Sequence, residues 1–292
     1  MLLIPPALII AAFVLLRGFS GVMEFAARKL GSVWRYALGA VTSVLPFSLM
    51  EIGGTALALL FIALLVCIII SLIRRRGTGA SVSRLIAFVT AVLYGAGIFL
   101  WVWCSTYYAP PAYDGVVERR GVSSEELFKT AKLLLEGANR LSGEVLRDDG
   151  GHCAEDLDSL IDSSKGVFHA VAGRFPALSQ STAKPKKMLY SEFMSKANFT
   201  GIYFGLTGEA NINKNAPLAL LPSTVAHELA HSRGVGSEDA ANFFGIAACI
   251  TSGIAAFEYS GHLQGLIHVG NALYSADPDL YLEIAEGYGE YV

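Results

Sequence analysis

Two histidines and a glutamate in the sequence HELAH, at residues 227–231, are the side chains of this chain best suited to chemistry. His227 and His231 lie four apart, so on a helix they project from one face and can both bind a single tetrahedral zinc ion. Glu228 is rotated by about 100° from His227 and can take a proton from the water that zinc activates. The motif therefore predicts a zinc-dependent hydrolase of peptide bonds, with Glu228 as general base.

The third zinc ligand is expected after the glycine turn that ends this helix, because catalytic zinc usually has three protein ligands and a water. Glu238 and Asp239 follow that turn, and Glu238 is the preferred ligand because its side chain is longer. Glu258 is a more distant candidate, about 30 Å away along a continuous helix. An alternative interpretation is that these acids only balance the positive end of a helix dipole.

Two neighbours are predicted to orient the ligands through hydrogen bonds. Asn242 lies one helical turn beyond Glu238 and on its face. Asp239 points about 100° aside, which favours a contact with a histidine rather than with the metal.

Local signals predict the elements that must position these residues. Ser123 with Glu126 forms a capping-box pattern at a helix start. A second helix is predicted over 154–174, and a strand with alternating side chains over 200–206. The motif helix is predicted to begin at Ser223 or Thr224, immediately after a proline.

Two uncharged stretches, 55–73 and 85–104, are long enough to cross a bilayer core of about 30 Å, which needs roughly 20 helical residues. A shorter apolar run over 2–16 is interpreted as a third span, with a secretory signal peptide as the alternative. Residues 19–53 are predicted to form either an interfacial amphipathic helix or an ordinary connecting loop.

These spans divide the chain into a membrane region, 1–104, and a domain, 105–292. The loop 74–84 carries four arginines in a short stretch and is therefore predicted to be cytoplasmic, with the domain outside. The loop 17–53 also carries four basic residues over a longer stretch, and these argue for the reverse orientation.

Composition excludes other classes of function. The net charge of −3 gives no basic footprint for nucleic acid. The four cysteines contain no CxxC pair, which argues against a disulfide framework and against a cysteine-based metal site. Only 16% of residues are charged against 53% hydrophobic, as expected for a membrane protein.

The residues that carry a family resemblance are Leu45-Pro46-Phe47-Ser48, Tyr107-Tyr108, Thr200-Gly201-Ile202-Tyr203, Thr207-Gly208-Glu209-Ala210-Asn211, the motif with Arg233-Gly234, Glu238-Asp239 with Ala241-Asn242-Phe243, and Tyr259-Ser260-Gly261. With these segments the chain resembles the bacterial membrane proteins of the domain-of-unknown-function 3810 family, which fall among the zincin metallopeptidases. The resemblance covers nearly the whole chain. It implies a membrane-anchored α+β fold, with transmembrane helices before a mostly helical zincin-like domain that contains a small sheet.

The same resemblance implies Zn²⁺ as the cofactor, a peptide or protein as the substrate and the bacterial plasma membrane as the location. Zincin folds commonly bind an extended peptide along a sheet edge. The predicted strand supplies such an edge, so Gly201, Ile202, Tyr203 and Phe204 are expected to bind substrate.

Two other functions are consistent with parts of the sequence. The apolar stretch 240–257 suggests an intramembrane protease with zinc inside a span, although it contains Asn242 and no Leu-Asp-Gly ligand motif follows. A non-catalytic membrane scaffold or sensor that retains a zinc site is the other alternative. Glu228 argues against it, because a structural zinc site needs no such carboxylate.

Overall fold

The computed structural model describes residues 2–74, 77–118 and 120–292. The helices and strands, in chain order, are α1 (Ile4–Leu16), α2 (Ser20–Phe25), a π-helical turn (Ala26–Leu30), α3 (Gly31–Ser43), α4 (Leu49–Ile73), α5 (Gly79–Val102), a 3-10 turn (Cys104–Tyr107), α6 (Ser124–Leu141), α7 (Leu157–Ser163), a 3-10 turn (Ser164–Gly166), α8 (His169–Arg174), β1 (Lys186–Lys187), α9 (Ser191–Lys196), β2 (Gly201–Phe204), β3 (Glu209–Ile212), α10 (Leu221–Ser232), α11 (Glu238–Ile250), α12 (Ala255–Ala276) and α13 (Pro278–Ala285). This is the mostly helical α+β architecture with a small sheet that the sequence predicts.

The sheet has the order β1-β3-β2, which leaves one side of β2 without a strand neighbour. β2 runs antiparallel to β3, with Gly201 opposite Ile212. The Asn213 N–H donates to the Thr200 carbonyl at 2.8 Å. Hydrogen-bonded pairs alternate along an antiparallel ladder, so the backbone groups of Gly201 and Tyr203 face away from β3. The open edge of β2 therefore presents these two residues to the space beside α10.

The helices α10, α11 and α12 pack on one another and on the sheet to form the core around the site. Phe244, Phe257 and Leu221 are fully buried there. Helix α10 begins at Leu221, so the predicted start at Ser223 or Thr224 is wrong. Pro222 lies inside the first turn, where its missing N–H costs nothing and its φ is already helical.

Helix α6 begins as predicted, with a complete capping box between Ser123 and Glu126. The single helix predicted over 154–174 is wrong. The chain instead forms α7, a 3-10 turn and α8. The Ser164 hydroxyl donates to the Ile161 carbonyl at 2.7 Å and Gly166 follows, a combination that weakens the α-helical ladder at this point.

Two helices of the described chain are long and apolar enough to cross a membrane, namely α4 and α5 extended to Tyr107. They contain the predicted spans 55–73 and 85–104. No residue in the most apolar 18-residue stretch of α4 is buried. The apolar run 2–16 forms only the 13-residue α1, about 20 Å long, so the structure does not support a full span there.

The segment 19–53 is helical, which decides against an ordinary connecting loop. One side of α3 contacts the hairpin of β2 and β3, where the Trp34 Nε1–H donates to the Gly205 carbonyl at 3.1 Å. Arg35 is buried and donates to the carbonyls of Val102 and Ala27 at 3.2 and 3.0 Å. The Trp34 contact crosses the predicted boundary at residues 104–105, so the N-terminal helices help to hold the sheet beside α10.

Candidate metal centre

The two motif histidines face each other from successive turns of α10. Their Nε2 atoms are 3.1 Å apart. Glu238, in the first turn of α11, places Oε2 3.1 Å from His227 Nε2 and Oε1 3.6 Å from His231 Nε2. The three side chains can each offer a ligand atom within 4.8 Å of the others. This group, His227, His231 and Glu238, could hold a metal ion.

Hydrogen bonds on the far side of each ring determine which nitrogens face the centre. His231 Nδ1 lies 2.8 Å from the Val235 carbonyl, which can only accept, so Nδ1 carries the proton. His227 Nδ1 lies 2.8 Å from Asn242 Oδ1 and is held in the same way. Both Nε2 lone pairs then point towards the same space. Two lone pairs and a carboxylate converge there, and a cation removes their mutual repulsion.

The carboxylate of Glu238 is ionised in this arrangement. When the Nε2 atoms of His227 and His231 carry protons, the hydrogen bonds that they donate hold the pKa of Glu238 well below its ordinary value. Ser237 caps α11, and its hydroxyl accepts from the Ala240 N–H. The glycine turn before Ser237 brings α11 back beside α10. Glu238 therefore lies next to the histidines, as expected for a ligand that follows this turn.

Asn242 occupies the orienting position predicted for it, whereas Asp239 does not. Asp239 is exposed, and the Nδ1 atoms that it was expected to contact bind Asn242 and Val235 instead. Asp239 is adjacent to Glu238 and therefore points about 100° away from the direction in which Glu238 faces α10, whereas Asn242 lies one turn beyond Glu238 and on its face. Glu258 is also outside the group, because its Oε1 accepts the N–H of Gly253 at the break between α11 and α12.

Glu228 is 4% exposed and lies on the side of α10 that faces β2. Burial raises the pKa of Glu228 to about 8 and the charge of Glu238 adds to the rise, whereas His227 and the backbone N–H of Tyr203 oppose it. Its Oε2 has no hydrogen-bond partner among the described residues. The raised pKa makes Glu228 a stronger base, which suits a residue that accepts a proton.

Gly201 is the point where β2 comes closest to Glu228. A Cβ at Gly201 would lie 2.8 Å from the Glu228 Cγ and closer still to Oε1. No side chain other than hydrogen fits without moving the carboxylate or the strand. The sequence prediction placed Gly201 in a substrate strand, and the structure places it against the general-base candidate as well.

A cleft of 560 Å³ opens over these side chains. The predicted strand residues Gly201, Ile202 and Tyr203 line one wall, but Phe204 does not. Phe204 turns instead to the end of α5, where its ring stacks on Phe99 at 6.0 Å. Phe204 is the last residue of β2, so its ring lies beside α5 and beyond the part of the strand that borders the cleft.

Sequence analysis missed two aromatic residues of the cleft, Trp103 and Tyr107. Trp103 lies within the predicted span 85–104 and Tyr107 just beyond it, and the sequence assigned neither of them to the site. Trp103 packs edge-on against His231, with ring centroids 5.7 Å apart, and also contacts Tyr203. Gln264 of α12 is a third missed residue. No local pattern could reveal these contacts, because they join segments more than 100 residues apart or separate helices.

The model of the family described as "Protein of unknown function (DUF3810)" matches residues 27–292 of this chain. No curated protein and no solved structure matches it. The matched region contains every residue of the candidate metal centre and both long apolar helices. The chain therefore belongs to the DUF3810 family.

Proposed function

We propose that this protein is a membrane-bound zinc metallopeptidase with a zincin-like domain. The observation that carries the proposal is the convergence of His227, His231 and Glu238 beside the buried Glu228 in an open cleft. Two imidazoles and one carboxylate form a known ligand set of catalytic zinc, with a fourth position left for water. Ligand atoms about 2.1 Å from a tetrahedral ion lie about 3.4 Å apart, close to the separations in this group.

The chain's own residues divide the chemistry among them. Zinc, when bound, lowers the pKa of a water ligand and polarises a carbonyl group. Glu228 accepts the proton of the attacking water and returns it to the leaving amine. The outward N–H and carbonyl of Gly201 and the outward carbonyl of Tyr203 can pair with an extended peptide, so that the scissile bond lies between β2 and α10, while the Tyr203 N–H donates to Glu228.

Membrane anchoring rests on the surface of α4. None of its uncharged run is buried, and such a long apolar surface is unfavourable in water but suits lipid. The sequence HELAH lies on α10, which is packed in the core of the helical domain and is separate from α4 and α5. This placement favours a membrane-anchored peptidase over an intramembrane protease. The cleft beside Glu228 favours an enzyme over a scaffold with a structural zinc site.

The experiment compares zinc content and peptide hydrolysis for the purified full chain and its Glu228→Gln variant. The variant should keep about one zinc per chain, because Glu228 is not a ligand, and should lose activity by a factor of about 10²–10⁴. The control is a His227→Ala, His231→Ala double variant, which should lose both. Zinc retained by the double variant, or activity retained by Glu228→Gln, would contradict the proposal.

A further inference from the structure

Exposed apolar side chains surround α9, and the proposed chemistry does not use them. Leu189, Phe193 and Phe199 are 66%, 71% and 58% exposed, and Tyr190 is also exposed. We call these four residues the apolar lip. The Met194 N–H donates to the Tyr190 carbonyl, so Tyr190 and Phe193 lie about one helical turn apart and project from the same side. Adjacent exposed apolar residues of this size mark a contact surface.

The apolar lip is fastened to the first turns of α4. The buried carboxylate of Glu51 accepts the backbone N–H groups of Leu189 and Tyr190 at 3.0 and 2.8 Å. The Tyr190 hydroxyl lies 2.8 Å from Thr55 Oγ1. Three hydrogen bonds thus set the height of the apolar lip on α4 at the level of Thr55.

That level lies about one turn from one end of the uncharged part of α4. The helix has 25 residues and is about 37 Å long, whereas the uncharged run from Ile52 to Ile73 is about 33 Å long. A hydrocarbon core of about 30 Å matches the uncharged run. Once α4 spans a bilayer, Thr55 stands at the boundary between headgroups and acyl chains. Aromatic side chains are enriched at this boundary.

The apolar lip also continues into the cleft. Phe199 belongs to both, since it lines the cleft next to Thr200 and Gly201. Trp103 and Tyr107, which also line the cleft, stand just beyond the end of α5. The cleft is therefore bordered by the lip at the start of α4 and by the aromatic end of α5, two places at the same end of the helix pair.

We propose that the apolar lip inserts into the headgroup–acyl boundary of the bilayer that α4 and α5 cross, so that the cleft takes the membrane-proximal segment of an anchored protein. The lipid contact follows from the position of the lip on α4. The substrate class rests in addition on the proposed peptidase function. A peptide tethered to the same bilayer reaches the cleft at the depth of Phe199, with its apolar residues already beside the lip.

Tryptophan fluorescence in reconstituted full-length protein tests the lipid contact. Phe193→Trp adds a fluorophore to the lip. Its matched control is Leu133→Trp on α6, where Leu133 is 67% exposed among the exposed side chains of Lys132 and Glu136. The quantity compared is the fluorescence that each introduced tryptophan adds to the emission of the wild-type protein. This added emission should fall for Phe193→Trp when the acyl chains of phosphatidylcholine are brominated, and should not change for Leu133→Trp. Equal quenching of the two variants, or none for Phe193→Trp, would overturn the insertion.

A second measurement tests the substrate class with a pool of quenched-fluorescent peptides, supplied with and without an N-terminal stearoyl chain. Leu189→Ser with Phe193→Ser should slow hydrolysis of the vesicle-bound pool on the order of tenfold, since each inserted apolar side chain contributes to that encounter. Hydrolysis of the soluble pool should not change. Equal effects on the two pools, or no effect, would overturn the substrate class. If wild type cleaves neither pool, the peptidase proposal and the substrate class fail together, whereas quenching still decides the insertion.

Discussion

Each histidine of the candidate metal centre is oriented by a hydrogen bond on the ring edge that faces away from the centre. Asn242 holds His227 through a side chain, but His231 is held by the backbone carbonyl of Val235. The position of that carbonyl depends on Gly234, which has φ +91° in the left-handed region that favours glycine. The ring orientation thus depends on one side chain and one turn.

The assignment of Glu238 leads to the first residue-scale prediction, which is measured as zinc affinity. Glu238→Ala should lose most of the bound zinc because one of three protein ligands is gone. Asn242→Ala should weaken affinity by about 10–100-fold through loss of ring orientation. Asp239→Ala and Glu258→Ala are the controls and should bind zinc normally. Normal affinity in Glu238→Ala with loss in either control would show that the third ligand is another acid.

The close approach of Gly201 to Glu228 leads to the second residue-scale prediction. Gly201→Ala should reduce peptide hydrolysis by about 10²-fold, because the added methyl group displaces the carboxylate by roughly the 1 Å that costs this much. Zinc content should stay at the wild-type level. The control is Gly173→Ala, where an added Cβ meets no atom within 4 Å. Full activity in Gly201→Ala would mean that hydrolysis does not depend on the present position of the Glu228 carboxylate.

At the scale of elements, a buried ion pair joins the sheet to the start of α4. Lys186 of β1 and Glu209 of β3 are 2.6 Å apart, and both are buried. The Glu209 carboxylate also accepts the N–H groups of Leu49 and Met50 at 2.8 and 2.9 Å. It therefore caps the positive end of the α4 dipole and holds that helix against the sheet.

This ion pair leads to a prediction about stability against pH. Burial raises the pKa of Glu209, but the hydrogen bonds from Lys186 and from the backbone outweigh it, so the pKa lies below its ordinary value. A lowered folded pKa gives stability that is present above the unfolded pKa of about 4.3 and is lost as the pH falls through the folded pKa.

Glu209→Gln should accordingly lower the free energy of unfolding at pH 7 by about 3 kcal/mol, because Lys186 is left buried without its partner. The difference from wild type should shrink as the pH falls below about 4. Denaturant unfolding of the detergent-solubilised chain measures both quantities. Glu192→Gln, which removes the exposed pair with Lys196, should change stability by less than about 0.5 kcal/mol. A pH-independent difference for Glu209→Gln would contradict the assigned ion pair.

At the scale of the whole molecule, the candidate metal centre lies together with one end of each of the two long apolar helices. The start of α4 contacts the sheet through Glu209, and the end of α5 contacts His231 through Trp103. Both ends therefore lie on the side of the domain that carries the cleft. The end of α4 and the start of α5 lie at the opposite end of the helix pair.

That arrangement leads to a topological prediction. Reporter fusions after Arg76, between α4 and α5, should report the cytoplasm, and fusions after Val292 should report the exterior, because arginine-rich short connections stay inside. Arg75 and Arg76 lie outside the described residues, but the prediction uses only their charge, which the sequence gives. The opposite result would mean that the basic residues of 17–53 set the orientation, and the domain would then face the cytoplasm.

Features that depend on residues close in the sequence could be predicted from the sequence alone. The spacing of His227 and His231 follows from the helix repeat, and the capping box at Ser123 is a contact over three residues. The length and apolar composition of α4 follow equally directly from the chain. These predictions agree with the structure because neighbouring residues supply nearly all the relevant energy.

Features that depend on contacts between distant elements were decided only by the tertiary structure. Whether Asn242 or Asp239 reaches α10 depends on the rotation of α11 about its axis, which its packing against α10 sets. The contact of Gly201 with Glu228 requires β2 to lie across the motif helix, and the apolar lip acquires its position from Glu51 on α4. A local pattern carries no information on such pairs, because their stabilisation comes from burial and hydrogen bonds formed when the elements pack together.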